Sequence, residues 1–413
     1  MKKLLKHLGP GLLFASMAIG TSHLVLSTKA GAQYGWLMVI PILLALVLKY
    51  PFFEFGVRYT HIFKKSLLEG YVSLGKKYLW AYTFITFISS FTILAALYIV
   101  TAGLLKQLMP WFNISDSNMA LVLFIVISAL LIIGKYKFLE LSIKFILGIL
   151  TLALIVSTTV VLYKGPIDIK PTFTPLPFFD KAGLLFLIGL IGWMPTAVEA
   201  SSWVSMWRLE KNKTQINNQT LKDCLREFNL GYIITALLAI CFLIIGWFTL
   251  YGSGVPMSSN ATLFAAQLIQ MFTTHMGPWA YYFIAMAAFV TMFSTCLTAH
   301  DALARVCVES FQLLKKKKTS SKNWYFNLLV VLLAFINFNV ISWAGGNMGN
   351  LVAIATFVSF VFAPAVGLLN HRMVTQKKMP PEAKPPRGLI VLSYLGMIFL
   401  SLFAIYYCYI ILR

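Results

Sequence analysis

Eleven times along its 413 residues the chain runs for about twenty residues almost without charge, beginning near Pro10, Trp36, Trp80, Met119, Leu139, Gly183, Gly231, Trp279, Phe326, Leu351 and Gly388. A helix of that length spans the hydrocarbon of a bilayer, so the sequence predicts an all-α polytopic membrane protein with about eleven transmembrane helices. With 59% hydrophobic and 11% charged residues there is too little polar surface for a soluble globule, and no stretch is left over for a soluble domain.

The net charge of +21 would point to nucleic acid in a soluble chain, but here its distribution follows the loops. Basic residues crowd alternate connections. Lys2, Lys3 and Lys6 precede the first span; Arg58, Lys64, Lys65, Lys76 and Lys77 follow the second; Lys135 and Lys137 follow the fourth. Arg208, Lys211, Lys213, Lys222 and Arg226 follow the sixth, Lys315 to Lys318 and Lys322 the eighth, and Arg372, Lys377, Lys378, Lys384 and Arg387 the tenth. The loops between them hold only Lys106, Lys164, Lys170 and Lys181. The positive-inside rule therefore predicts a cytoplasmic N-terminus and an external Arg413, which again requires an odd number of spans. The lysine run from Lys315 also offers a contact to anionic lipid.

Cys224, Cys241, Cys296, Cys307 and Cys408 form no CxxC pair and mostly lie inside apolar spans, so neither zinc nor a disulfide framework is indicated. No cleavable signal peptide is expected, because the first apolar stretch lacks a small-residue cleavage signature. No cofactor is called for. The expected partners are a small inorganic ion and the lipid bilayer, with no nucleic acid, and the chain is expected to act as a monomer.

A ten-residue pattern occurs twice, as GLLFASMAIG from Gly11 to Gly20 and as GLLFLIGLIG from Gly183 to Gly192. Each copy runs into residues ill suited to a continuous helix: Thr21, Ser22 and His23 after the first, and Trp193, Met194, Pro195 and Thr196 after the second. Apolar spans interrupted at corresponding places in two halves of a membrane protein mark a transporter's binding site, because unwound backbone exposes polar groups near the midplane. Chance likeness of Leu- and Gly-rich stretches is the alternative. An odd number of crossings separates the copies, so the pattern predicts a LeuT-like 5+5 inverted repeat with broken first and sixth helices. Residues 10–163 form one repeat, 182–370 the other, and 387–411 an added helix, within one transporter domain. The uncharged segment from Gly252 to Pro278 has room for a short interfacial helix or a lid.

The segment GPGLLFASMAIGTSHLVLSTKAGAQYGW, from Gly9 to Trp36, resembles the first helix of the NRAMP family of proton-coupled divalent metal transporters, in which GPGLL opens the helix and AGAQ, an aromatic residue and Gly close it. Met194 and Pro195 resemble the family's Met-Pro-His-Asn break. The resemblance implies a divergent bacterial-type branch in a plasma (inner) membrane. It departs from the family where the family binds metal. The Asp-Pro-Gly-Asn motif falls on Gly20, Thr21, Ser22 and His23, so the metal-binding carboxylate is replaced by Gly and the Asn ligand by His. Met194 keeps the place of the thioether ligand, the following His and Asn become Thr196 and Ala197, and a further His becomes Ser201. Acidic residues tied to proton movement fall on Ile93 and Ala96, and a site-lining Gln on Thr356.

A dehydrated divalent cation needs oxygen anions or several good neutral ligands, and this set supplies no charge compensation. The opposite sign of substrate fits better. The second halves of spans one and six direct their positive ends at Thr21 to His23 and at Thr196 to Ala197. The hydroxyls of Thr21, Ser22, Thr196 and Thr356 and the His23 imidazole can donate to oxyanion oxygens. The leading expectation is a secondary transporter or uniporter of a small inorganic anion, with bicarbonate as the specific candidate, bound by Gly20, Thr21, Ser22, His23, Met194, Thr196 and Thr356. The alternative is a divalent or soft metal ion (manganese, iron or copper) held by His23 and Met194. A non-transporting scaffold is a third reading, and the absence of HExxH and GxSxG motifs speaks against an enzyme.

Each residue also has a plainer role. Intramembrane Thr and Ser commonly return a hydrogen bond to the preceding turn, Met fills space, and His23 can be a satisfied interior histidine. Glu199, one turn beyond Pro195, is a candidate coupling group or the partner of a buried base such as Lys144 or Arg305. Asp301 and Arg305, four residues apart, suit an intrahelical pair, with His300 beside them as a candidate for a proton path. Lys29 is expected to snorkel outward or to add positive potential to a vestibule.

Overall fold

The computed structural model describes residues 10–134, 136–214, 219–315 and 322–412. Lys2, Lys3, Lys6, Gly9, Lys135, Lys316 to Lys318 and Arg413 lie outside them. The described chain is helical from end to end, as lipid demands of backbone that has no water to bond. In order, the helices are α1 (Pro10–Ala18), α2 (Ser22–Tyr34), α3 (Val39–Phe63), α4 (Leu67–Leu74), α5 (Lys76–Ser90), α6 (Ile93–Leu108), α7 (Asp116–Ile133) and α8 (Tyr136–Lys164). They continue with α9 (Lys181–Trp193), α10 (Ala200–Thr214), α11 (Leu221–Leu250), α12 (Ala261–Met276), α13 (Tyr281–Lys315), α14 (Lys322–Trp343), α15 (Met348–Thr375) and α16 (Arg387–Leu412).

Among the described residues eight helices are long and apolar enough to cross a membrane, or nine when the bent pair α1 and α2 counts as one span. The other two of the eleven expected crossings correspond to shorter apolar helices, Leu150–Lys164 within α8 and Lys181–Trp193. The periphery is lipid-like in character: α16 presents Val391, Tyr394, Leu395, Ile398, Leu402 and Ile405 outward, more than half exposed.

The centre belongs to the broken spans. Every residue of α1 is buried. Helix α11 runs beside both halves of the first span at backbone distance: a Cβ added at Gly231 would collide with the Gly11 carbonyl of α1, and one at Gly246 with the Thr28 carbonyl of α2. Small residues thus let two backbones touch where the hydrophobic effect cannot drive association. The segment from Gly252 to Pro278 contains α12, a helix whose Asn260 side chain accepts from Leu263 N–H as an N-cap. Sequence reading passed over α4, which begins with a capping box: Ser66 Oγ accepts from Glu69 N–H, and the Glu69 carboxylate accepts from Ser66 N–H.

The third span carries its own interruption at Phe91 and Thr92, between α5 and α6. Asn337 of α14 repairs it. Its amide donates to the Ser90 carbonyl at 2.8 Å and its oxygen accepts from Ala95 N–H at 3.0 Å. A side chain from another span thereby satisfies backbone groups that the turn would strand in lipid.

Candidate substrate site at the two helix breaks

In the first span α1 ends at Ala18, and the chain turns through Ile19 and Gly20 before α2 leaves at 42° to it. The first turns of α2, Ser22–Ser27, are π-helical, a widened geometry frequent at functional sites. In the sixth span α9 ends at Trp193 and the chain is non-helical until Ala200, with a cis bond between Met194 and Pro195. The positive end of α10 therefore lies at Ala197 to Glu199, a few residues later than the sequence reading placed it. Ser22 ties the two breaks together: its hydroxyl lies 3.0 Å from the Pro195 carbonyl and 2.5 Å from the Ala18 carbonyl.

Between the breaks is a cavity of about 30 Å³, enough for a compact ion or a couple of waters. Thr21, Ser22 and Thr196 are its hydroxyl-bearing wall from the breaks, Trp193 and Trp203 its indoles, and Ile93 and Leu97 its apolar side from α6. The buried Trp203 indole N–H has no hydrogen-bond partner among the described residues. It is a donor only, and so can be satisfied only by an acceptor.

Four of the expected site residues face elsewhere. The His23 ring is fully committed, with Nδ1 2.8 Å from Ser22 Oγ and Nε2 2.9 Å from the Thr235 carbonyl of α11. Gly20 packs on α13, where a Cβ would collide with the Thr295 methyl. Met194 is fully buried at the end of α9 and is absent from the cavity wall. Thr356 donates to the Ala353 carbonyl one turn back, and its hydroxyl abuts Gly189 of α9. Their surroundings are those of packing residues, because each side chain already has its contacts inside the protein.

The three coupling candidates differ in the same way. His300 is held at Nδ1 by Tyr98 OH, 2.7 Å away, and at Nε2 by the Val330 carbonyl, 3.0 Å away. Asp301 accepts from Arg305 at 2.7 Å, the expected intrahelical pair, and from the Trp207 indole at 3.2 Å. Glu199 is buried with Oε1 accepting no hydrogen bond, and the base that acts on it electrostatically is Lys49, without an ion-pair contact between them. That corrects the expected pairing with Arg305; Lys144 lies outside the described side chains. Lys29 is half-sheltered, with its ammonium 5.9 Å from the Phe186 ring centre.

Lys49 is the residue that sequence reading missed. It is completely buried in α3, and its ammonium donates to three carbonyls at the sixth-span break: Ile191 at 3.1 Å, Gly192 at 2.9 Å and Thr196 at 2.7 Å. A lysine inside an apolar span was signal enough to find it. Through Thr196 it touches a residue of the cavity wall without lining the cavity itself.

A family profile, natural resistance-associated macrophage protein-like, matches residues 11–409. The chain belongs to the Nramp family. It is 33% identical over 400 residues, covering 96% of this chain and 90% of the other, to an uncharacterized protein of Pasteurella multocida (strain Pm70). Among solved structures, substituted forms of the Eremococcus coleocola manganese transporter superpose with a TM-score of 0.73 at 14% identity, covering 98% of this chain and 86% of that one. MhsT, solved with L-phenylalanine, superposes at 0.61 with 16% identity, covering 97% of each chain. A nucleobase-cation-symport-1 family transporter superposes at 0.61 with 12% identity over 97% of this chain and 92% of that one. At those identities the likeness is one of fold, the LeuT-like bundle. This Nramp chain is thus an integral membrane protein and a secondary transporter of a small substrate, in a family of transporters rather than enzymes. The family resemblance places Gly20 where relatives carry a carboxylate, and among the described residues no three His, Cys, Asp or Glu side chains converge as metal ligands.

Proposed function

We propose that this Nramp-family transporter carries a small inorganic anion, with bicarbonate the specific candidate, through the cavity between the two breaks. One observation carries the reading: the cavity wall holds the hydroxyl-bearing residues Thr21, Ser22, Thr196 and Thr295 and Trp203 with its unpartnered indole N–H, and contains no carboxylate or imidazole, Met17 being its one soft ligand. Nothing there compensates a dehydrated dication. Donor groups backed by the Lys49 ammonium favour a guest with acceptor oxygens. Thr21, Ser22 and Thr196 are the side chains we assign to the substrate, and Glu199, with an oxygen uncommitted, is the carboxylate we assign to coupling. Residues 10–163 and 182–370 act as the two inverted repeats, in a divergent branch oriented with its N-terminus inside a bacterial-type plasma membrane.

The test is flux into proteoliposomes. Radiolabelled bicarbonate uptake at alkaline pH, corrected for leakage into protein-free vesicles, is expected to saturate and to fall about tenfold in Thr196→Val, the loss of one good hydrogen bond to a charged guest. Saturable manganese uptake that disappears in His23→Ala, with no anion flux, would refute the assignment and restore the metal reading.

A further inference from the structure

We propose that the Lys49 ammonium is a tethered cation that permanently fills the cation-binding end of the broken sixth span, so that transport needs no inorganic coupling cation there. In a continuous helix the Ile191 and Gly192 carbonyls would accept from residues 195 and 196. Position 195 is Pro, which has no N–H, and the helix has already ended at Trp193. Those carbonyls are therefore stranded in the interior, at the end of α9 where the dipole concentrates about half a negative charge. Half-helix C-terminal ends and unwound carbonyls of this kind are what bundles built on broken helices use to coordinate sodium or protons.

Here an ammonium takes that role. It has three N–H donors and no acceptor, and it finds three carbonyl oxygens within 3.1 Å. The third of them belongs to Thr196, which also lines the cavity, so the same residue meets both the fixed cation and the cavity. The Glu199 carboxyl lies near enough to act on it electrostatically, without touching it. Because the ammonium is covalently attached to α3, it can neither dissociate nor be carried across. The inference rests on the transporter fold and not on the substrate.

The experiment reads cation binding, so its outcome is separate from that of the anion assignment. Purified protein is heated in choline chloride, and in the same ionic strength of sodium, potassium or methylammonium chloride, and radiolabelled sodium binding is measured alongside. The wild type is expected to melt at one temperature in all four salts and to bind no sodium. Lys49→Ala is expected to melt lower in choline and to recover, saturably, with sodium or methylammonium, as linkage requires when a ligand binds only the native state. Lys49→Gln, which keeps amide donors without charge, serves if the alanine variant does not fold. Sodium binding by the wild type would overturn the proposal even if neither variant folds. Folded Lys49 variants indifferent to every cation would overturn it as well, by reducing Lys49 to filler.

Discussion

Replacing Gly20 with alanine is the sharpest perturbation this architecture offers, because α13 leaves no room for a side chain at that position. A Cβ there collides with the Thr295 methyl and lies 2.8 Å from Thr295 Oγ1 and 3.0 Å from its Cβ. Thr295 cannot simply rotate aside, since its hydroxyl donates to the Ser16 carbonyl at 2.9 Å, with the Thr291 carbonyl 3.1 Å away. The bond to Ser16 joins α13 to the last turn of α1. Overpacking of this kind costs roughly 1–3 kcal/mol, a factor of about 5–150 in a conformational equilibrium. Gly20→Ala should therefore lower the melting temperature and reduce flux together, and Gly20→Asp, which adds a larger and charged side chain, should do so more. Thr295→Ala should cost about 1 kcal/mol alone, from the lost bond to Ser16, yet rescue most of the Gly20→Ala defect. The double-mutant cycle in detergent then shows a coupling of about 1–2 kcal/mol. Additive losses, or a Gly20→Ala protein as stable as the wild type, would show that the first break is not packed against α13 as described.

Three further outcomes follow from the same geometry. Glu227 accepts from Arg208 at 3.1 Å, from Lys211 at 3.4 Å and from Gly11 N–H at 3.4 Å, all buried, so it joins the start of α1 to α10 and α11. Glu227→Gln should cost about 3–5 kcal/mol, with faster amide exchange at Gly11 to Leu13; unchanged exchange there contradicts the latch. Asn337→Leu strands Ser90 O and Ala95 N–H, and should destabilise by about 1–3 kcal/mol, with melting as the readout and a neutral result counting against the repair of the third span. Thr356→Val should leave flux within about twofold of wild type, since the hydroxyl serves its own helix; a larger loss would return Thr356 to the substrate site.

Much of the scaffold was readable because lipid is a simple solvent. The starts of the apolar runs reappear as helices, and the broken first span falls at Gly20 as the repeated decapeptide indicated. The site was readable only in part. Thr21, Ser22 and Thr196 reach the cavity, whereas His23, equally polar and adjacent, points at α11. In π-helical backbone, neighbouring residues leave in different directions, and sequence spacing does not say which faces a void. Lys49 is visible in the sequence as a lysine inside an apolar span, but its partners are not: they are backbone carbonyls contributed by another span, which have no signature in a string of letters.

What the sequence by itself determined is the all-helical membrane-spanning class and where two of the helices must break. These follow from local composition, since each apolar run answers to the bilayer and each Pro or Gly to its own backbone. Only the tertiary structure decided which polar groups remain available. Packing of α11, α13 and α14 against the broken spans consumed His23, His300 and Asp301, and left the Trp203 indole and a Glu199 oxygen unspent. A buried polar group takes the nearest partner that geometry supplies, and that partner usually lies far away along the chain.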